Sequence, residues 1–258
     1  MAGEVFYEPV GEDRYLATGH TAGPWSDQAQ HLGPVAALLV RELESCSPGA
    51  GVALRRVSVD VMGPVPVGEV GLRAELLRPG RSVELVSAEL TSGGRVAATA
   101  RAWRSARSDT GQVAGVASDP VVPLDLPEMV IPGGWSGGYA AAVEWRVADP
   151  ATLGTGRVQV WARLRMPLVA GEEPSSLQRL LAIADSASGV SSSISMAEWS
   201  FANTDLTVHV HREAAGEWIG MDAESAVGAD GAGVASSVLR DVRGPVGRGA
   251  QSLFISPR

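Results

Sequence analysis

The chain has 258 residues, 45% of them hydrophobic, and a formal net charge of -8. It is therefore able to bury a sizeable core, and its acidic balance argues against a general nucleic-acid binder, which carries a basic footprint. The only cysteine is Cys46 and all 21 basic residues are arginine. These two facts exclude internal disulfides, cysteine-rich zinc sites, a Schiff-base lysine and the lysine of a P-loop.

In chain order, the start MAGEVFYEP carries acid where a secretory signal carries base, which points to the cytoplasm. No apolar run approaches the roughly 20 residues of a membrane span. Tyr15 to His20 is expected as a strand. Ala29 to Glu44 is expected as a helix, with Val35, Leu38, Leu39 and Leu43 at helical spacing. A unit of four antiparallel strands follows over Val57 to Trp103; Leu72 to Leu76 shows the alternation of period two. Residues 105–138 are rich in Gly, Pro and Ser, have no sustained period and read as a linker between a first unit (1–104) and a second (139–258). The GGWSGG stretch within it lacks the strand-then-helix context of a nucleotide loop.

The second unit repeats the first. Strands are expected over Val143 to Val147 and Val158 to Arg165. A helix is expected from Ser175 to about Ser191, with Leu177, Leu180, Leu181 and Ala184 on one stripe and Ser175-Ser176 as its cap. A second four-strand unit spans Asp205 to Leu253. The turn pairs Gly68-Glu69 and Gly216-Glu217 set an offset of 148, which becomes 150 in the last hairpin and aligns Gln251 with Arg101. The architecture is α+β, two helix-plus-sheet units whose sheets pair through their edges, which removes exposed edge strands.

This order resembles the double hotdog of the thioesterase-II type of acyl-CoA thioesterases. The resemblance is carried by GPWSDQAQHLGPVAALLVREL (Gly23 to Leu43), LLAIADSASG (Leu180 to Gly189), NTDLTVHVHR (Asn203 to Arg212), GEWIGMDAES (Gly216 to Ser225) and GRGAQSLFISPR (Gly247 to Arg258). It implies hydrolysis of an acyl-CoA substrate without a cofactor or resident metal, in a chain that pairs as a homo-oligomer. In that family a carboxylate, a hydroxyl and a glutamine of the second half hold the attacking water. The carboxylate matches Asp185 and the glutamine Gln251; the hydroxyl position falls on Asn203, a departure, with Thr204 beside it as a substitute. Where the family often reads His-Gly-Gly at the first helix start, this chain reads His31-Leu32-Gly33.

The residues themselves support the same chemistry. Leu181 and Ser188 lie four before and three after Asp185, so its carboxylate shares the apolar helix face, where a charge is costly unless paired or wetted. It reads either as a water-orienting base or as a cap on the Ser-rich stretch that ends the helix early. The Gln251 amide can accept from water and donate to an oxygen at once; alternatively it makes a cross-strand bond. Asn203 can orient water through its amide or simply begin a strand from a turn. His31 and the Gly33 amide stand at a helix start that favours a polarised carbonyl oxygen, which reads them as substrate-binding residues; alternatively His31 is a capping or packing histidine. His209 and His211 alternate on one face with Asp205, with no third metal ligand evident. Trp25, Trp103, Trp145, Trp161, Trp199 and Trp218 are expected in the core or an interface. Two rival functions remain: a non-hydrolytic acyl-CoA or acyl-carrier binding protein, and a hotdog hydratase of enoyl-thioesters that would use His31 with Asp185.

Overall fold

The computed structural model describes residues 4–46, 51–115, 123–129 and 136–258. Gly133, Gly134 and Trp135 of the GGWSGG stretch, and with them part of the expected linker, lie outside these residues.

The first half opens with strands β1 (Tyr7–Gly11) and β2 (Arg14–Ala17). The expected strand through His20 stops at Ala17, because Gly19–Thr21 closes a 3-10 turn that Thr18 caps through its hydroxyl. Helix α1 spans Leu32–Ser45 rather than starting at Ala29; Ala29 and Gln30 make bridges to Pro66 and Ala22 instead, and His31 is the N-cap. Val35, Leu38, Leu39, Val40 and Leu43 are fully buried, so the helix is the core of this half. Around it lie β3 (Val52–Val61), β4 (Glu69–Arg78), β5 (Val83–Ser92) and β6 (Arg95–Ala106).

The second half begins with α2 (Gly138–Ala141), β7 (Val143–Val147) and β8 (Arg157–Leu164). The expected long helix is two pieces, α3 (Ser176–Ala184) and α4 (Ala187–Val190), with Asp185 as the C-cap of the first. The break has a tertiary cause. Ser186 N–H bonds Ile183 O, while the Ala182 carbonyl that a continuing helix would use instead accepts from the buried Tyr139 hydroxyl at 2.7 Å. Strands β9 (Trp199–Asn203), β10 (Asp205–Val210), β11 (Ile219–Val227), β12 (Ala232–Asp241) and β13 (Gly244–Pro257) complete the chain.

The strands form one 13-stranded sheet in the order β1-β2-β4-β5-β6-β3-β10-β13-β12-β11-β8-β7, with β9 on β13. The halves join antiparallel at β3–β10, where Ser58 faces Thr207 and their hydroxyls meet at 3.0 Å. This is the double hotdog: two helices packed together, wrapped by one continuous, antiparallel sheet. Register corrects the internal alignment. The pairs Ser92–Arg95, Leu90–Ala98 and Val86–Ala102 match Asp241–Gly244, Leu239–Gly247 and Ala235–Gln251, with the same bulge in each hairpin. The offset is a constant 149, as these matched pairs show. Gln251 therefore corresponds to buried Ala102, whereas Arg101 lies exposed on the opposite face, because one residue of slip exchanges the faces of a strand.

Candidate active site

Asp185, at the end of α3, is 4% exposed. Its two carboxylate oxygens are held from three elements. Oδ1 accepts from Asn203 Nδ2 at the end of β9 and from Gln251 Nε2 of β13, each at 2.8 Å. Oδ2 lies 2.9 Å from His31 Nδ1 at the start of α1. Gln251 is fixed by both ends of its amide: Nε2 also donates to the Asp185 carbonyl at 2.9 Å, and Oε1 accepts from Ser188 N–H at 3.2 Å. The four side chains expected from sequence thus converge, and both halves contribute to the cluster.

Thr204 does not replace Asn203. Its hydroxyl faces Ser252 O at 3.5 Å on the exposed side, and its backbone joins the β13 edge through Ser252. Alternation along the chain puts the Asn203 amide on the Asp185 side and Thr204 on the other.

His31 has a second partner. Its Nδ1 accepts from Gly33 N–H at 3.0 Å, the N-cap bond of α1. The ring stacks flat on Tyr139, with centroids 4.0 Å apart and planes 9° apart. Tyr139 is fully buried, and its hydroxyl reaches both Ala182 O and Ser186 Oγ, the latter at 2.9 Å. Burial pushes the phenol far above its ordinary value, so Tyr139 is a fixed donor and not a base at neutral pH. Tyr139 and the Ser188 amide were missed by the sequence reading. Tyr139 follows a Gly-rich stretch without periodicity, and no local pattern links it to a histidine in the other half.

Gly33 explains why α1 starts so close to α3. A Cβ there would stand 2.2 Å from Ala182 O, so only glycine lets the two backbones touch. Leu32 beside it is buried. Aromatic cover lies near the β9 side: Trp25 packs edge-on against Phe201 at 5.1 Å, and Arg258 lies over the Trp25 ring. Of the other expected tryptophans, Trp145 and Trp161 are buried, but Trp103 and Trp199 are about one-third exposed, at 36% and 37%. His209 is exposed on β10 and His211 lies beyond its end. Two surface clefts, of about 440 and 580 Å³, are both lined by other residues than Asp185. No helix among the described residues is long and apolar enough to cross a membrane.

The chemistry available is that of a buried carboxylate surrounded by amide donors, next to a helix start whose first N–H groups favour an oxyanion. Solved structures share the architecture. A conserved hotdog-fold protein of unknown function from Alicyclobacillus acidocaldarius superposes with a TM-score of 0.76 at 15% identity, over 94% of this chain and 92% of that one. The acyl-CoA thioesterase II TesB2 of Mycobacterium marinum gives 0.70 at 16% identity, over 98% and 95%. The tesB protein of Mycobacterium avium subsp. paratuberculosis gives 0.69 at 17% identity, over 97% and 96%. A search of curated proteins gave no match. Family models of the acyl-CoA thioesterase N-terminal and C-terminal domains match residues 21–105 and 123–255, and with both halves of the family's pattern in place the chain belongs to the acyl-CoA thioesterases.

Proposed function

We propose that this chain hydrolyses an acyl-CoA thioester to the free acid and coenzyme A, with Asp185 as the base. The observation that carries the reading is the convergence of two amides on one buried carboxylate oxygen, each at 2.8 Å, beside a helix start from the other half. A water admitted between the Asp185 carboxylate and the Asn203 and Gln251 amides is oriented by all three. Its oxygen attacks the thioester carbon while its proton passes to Asp185. The carbonyl oxygen, now negative, is received by the N–H groups at the start of α1, including Gly33. The C–S bond then breaks, and the leaving thiolate takes up the proton held by Asp185, which restores the carboxylate. The cytoplasmic location and homo-oligomer expected from sequence belong to this same reading.

The test is thiol release from acyl-CoA substrates of graded chain length, with Asp185→Asn beside the unaltered chain. General bases contribute about 10²–10⁴ in rate, so the variant is expected to lose at least roughly tenfold while remaining folded. Equal turnover by both proteins rejects the role of Asp185.

The His31–Asp185 contact of 2.9 Å favours one second reading, hydration of an enoyl-thioester by a His/Asp pair. Water addition to a crotonyl-type thioester, followed by loss of the enoyl absorbance without thiol release, selects that reading over hydrolysis. Binding of acyl-CoA with neither reaction selects a non-hydrolytic binding protein, a role to which Asn203 at the hydroxyl position is suited.

A further inference from the structure

Helices α1 and α3 pack with opposite ends together, so the pair presents two carboxylate clamps. At one end Asp185 of α3 meets His31, the N-cap of α1. At the other, Glu44 in the last turn of α1 meets Ser175, the N-cap of α3. Ser175 Oγ donates to Glu44 Oε1 at 2.8 Å and Gln178 Nε2 donates to Oε2 at 2.7 Å. In the strands, the shift of 149 carries Gln251 onto Ala102 and Asn203 onto Leu54, so neither amide of the Asp185 site is repeated in the first half. Leu54 lines an open cleft that also reaches Glu44.

The opening is a cleft of about 440 Å³, within the roughly 300–1,000 Å³ usual for ligand pockets. Leu43, Val52, Leu54, Leu177, Leu180 and Val210 supply much of its wall. Its three arginines each hold an acid: Arg104 with Glu84, Arg107 with Glu213, and Arg212 with Asp241. Glu44 is different. Among the described residues it forms no ion pair, and each of its oxygens accepts one side-chain hydrogen bond, which leaves lone pairs to spare. Burial pushes its carboxyl up, against the hydrogen bonds from Gln178 and Ser175. A half-buried carboxylate without a counter-ion is costly unless further donors reach it. With the three arginines already paired to acids, the charge left facing the cleft is that of Glu44, which turns away an anion and accepts N–H donors.

We propose that this cleft is a second ligand site, taking an apolar chain that bears neutral amide N–H donors, the chemistry of an acyl-pantetheine. The chain lies along the leucines and an amide donates to Glu44. The choice of ligand class rests on the hydrolase reading; the cleft and its unpaired carboxylate do not.

The experiment is calorimetric titration of the full chain with S-dodecyl pantetheine, a thioether that cannot be hydrolysed. Two equivalents per chain are expected. Ala53→Trp, which fills the cleft, is expected to leave one. Glu44→Gln keeps the shape but loses the charge and is expected to weaken one of the two by about tenfold, the difference between a charged and a neutral acceptor. If Ala53→Trp does not fold, Glu44→Gln alone decides. No binding to the unaltered chain, or binding that neither variant changes, overturns the proposal. Thiol release by the unaltered chain and Asp185→Asn is read separately, so failure of the hydrolytic reading is distinguishable from failure of the second site.

Discussion

The Nδ1 atom of His31 stands 3.0 Å from the Gly33 amide and 2.9 Å from Asp185 Oδ2, and one ring nitrogen does not serve both at once. With a proton it donates to Asp185; without one it accepts from Gly33. The protonation of a single atom thus decides whether the helix-start amide is engaged or released. The same geometry explains why Asp185→Asn is a clean probe. The new amide oxygen takes the place of Oδ1 under the Asn203 and Gln251 donors, and its NH2 faces a ring nitrogen that accepts. Tyr139→Phe tests the support beneath. It keeps the stack on His31 but removes the bond to Ala182 O and the contact with Ser186. Leaving a buried acceptor unmet costs about 1–3 kcal/mol. An unfolding free energy from urea titration lowered by that amount is expected, and an unchanged value would show that the hydroxyl is not needed there. Asp185, Asn203 and Gln251 were legible because a family resemblance fixed their positions. Tyr139 was not, because stacking between residues of different halves leaves no local pattern.

At the level of elements, the close approach of α1 and α3 rests on Gly33, where a Cβ would meet Ala182 O at 2.2 Å. Gly33→Ala forces the helix backbones apart and is expected to cost roughly 1–3 kcal/mol, as overpacking does. Thermal unfolding would read this as a lowered midpoint; equal stability would mean that the helices slide past each other freely. Periodicity revealed both helices and the strands of each four-strand unit: the large apolar residues of α1 recur at helical spacing although the helix is buried on all sides from Leu32 to Val40, and β10 buries alternate positions at Leu206 and Val208. It failed at ends and short pieces. Helix α3 stops at Ala184 because Tyr139, distant in sequence, takes a carbonyl of its last turn. Strands β1 and β9 were not expected: β1 buries only Tyr7 and β9 only Phe201, so neither shows an apolar alternation. The alignment of Gln251 with Arg101 erred because glycine landmarks in turns tolerate a slip that the buried face does not.

Across the whole molecule, acid stability should follow carboxylates tied into the second half. Burial opposes ionisation of Asp241, yet the Arg212 guanidinium and the amides of Ala215 and Arg243 outweigh it and hold its carboxyl below the usual range. The unfolded carboxyl has a pKa of about 3.9, so this stabilisation is complete above about pH 4 and is lost as pH falls through the lower, folded value. Denaturant midpoints measured against pH should therefore drop below about pH 4, and less steeply for Asp241→Asn. An identical slope in the variant would remove Asp241 from the account.

The β3–β10 seam has a further consequence. Ser58 and Thr207 face each other across it at equivalent places in the two repeats. Either repeat produced alone would expose that strand as a naked edge and leave its helix without a mate. A second copy offers the same strand running the opposite way, so the isolated first repeat should cross-pair with itself, serine against serine, into a twofold dimer. Light scattering would report a particle of twice the fragment mass; a fragment that stays at single mass would show that the edge does not pair with itself.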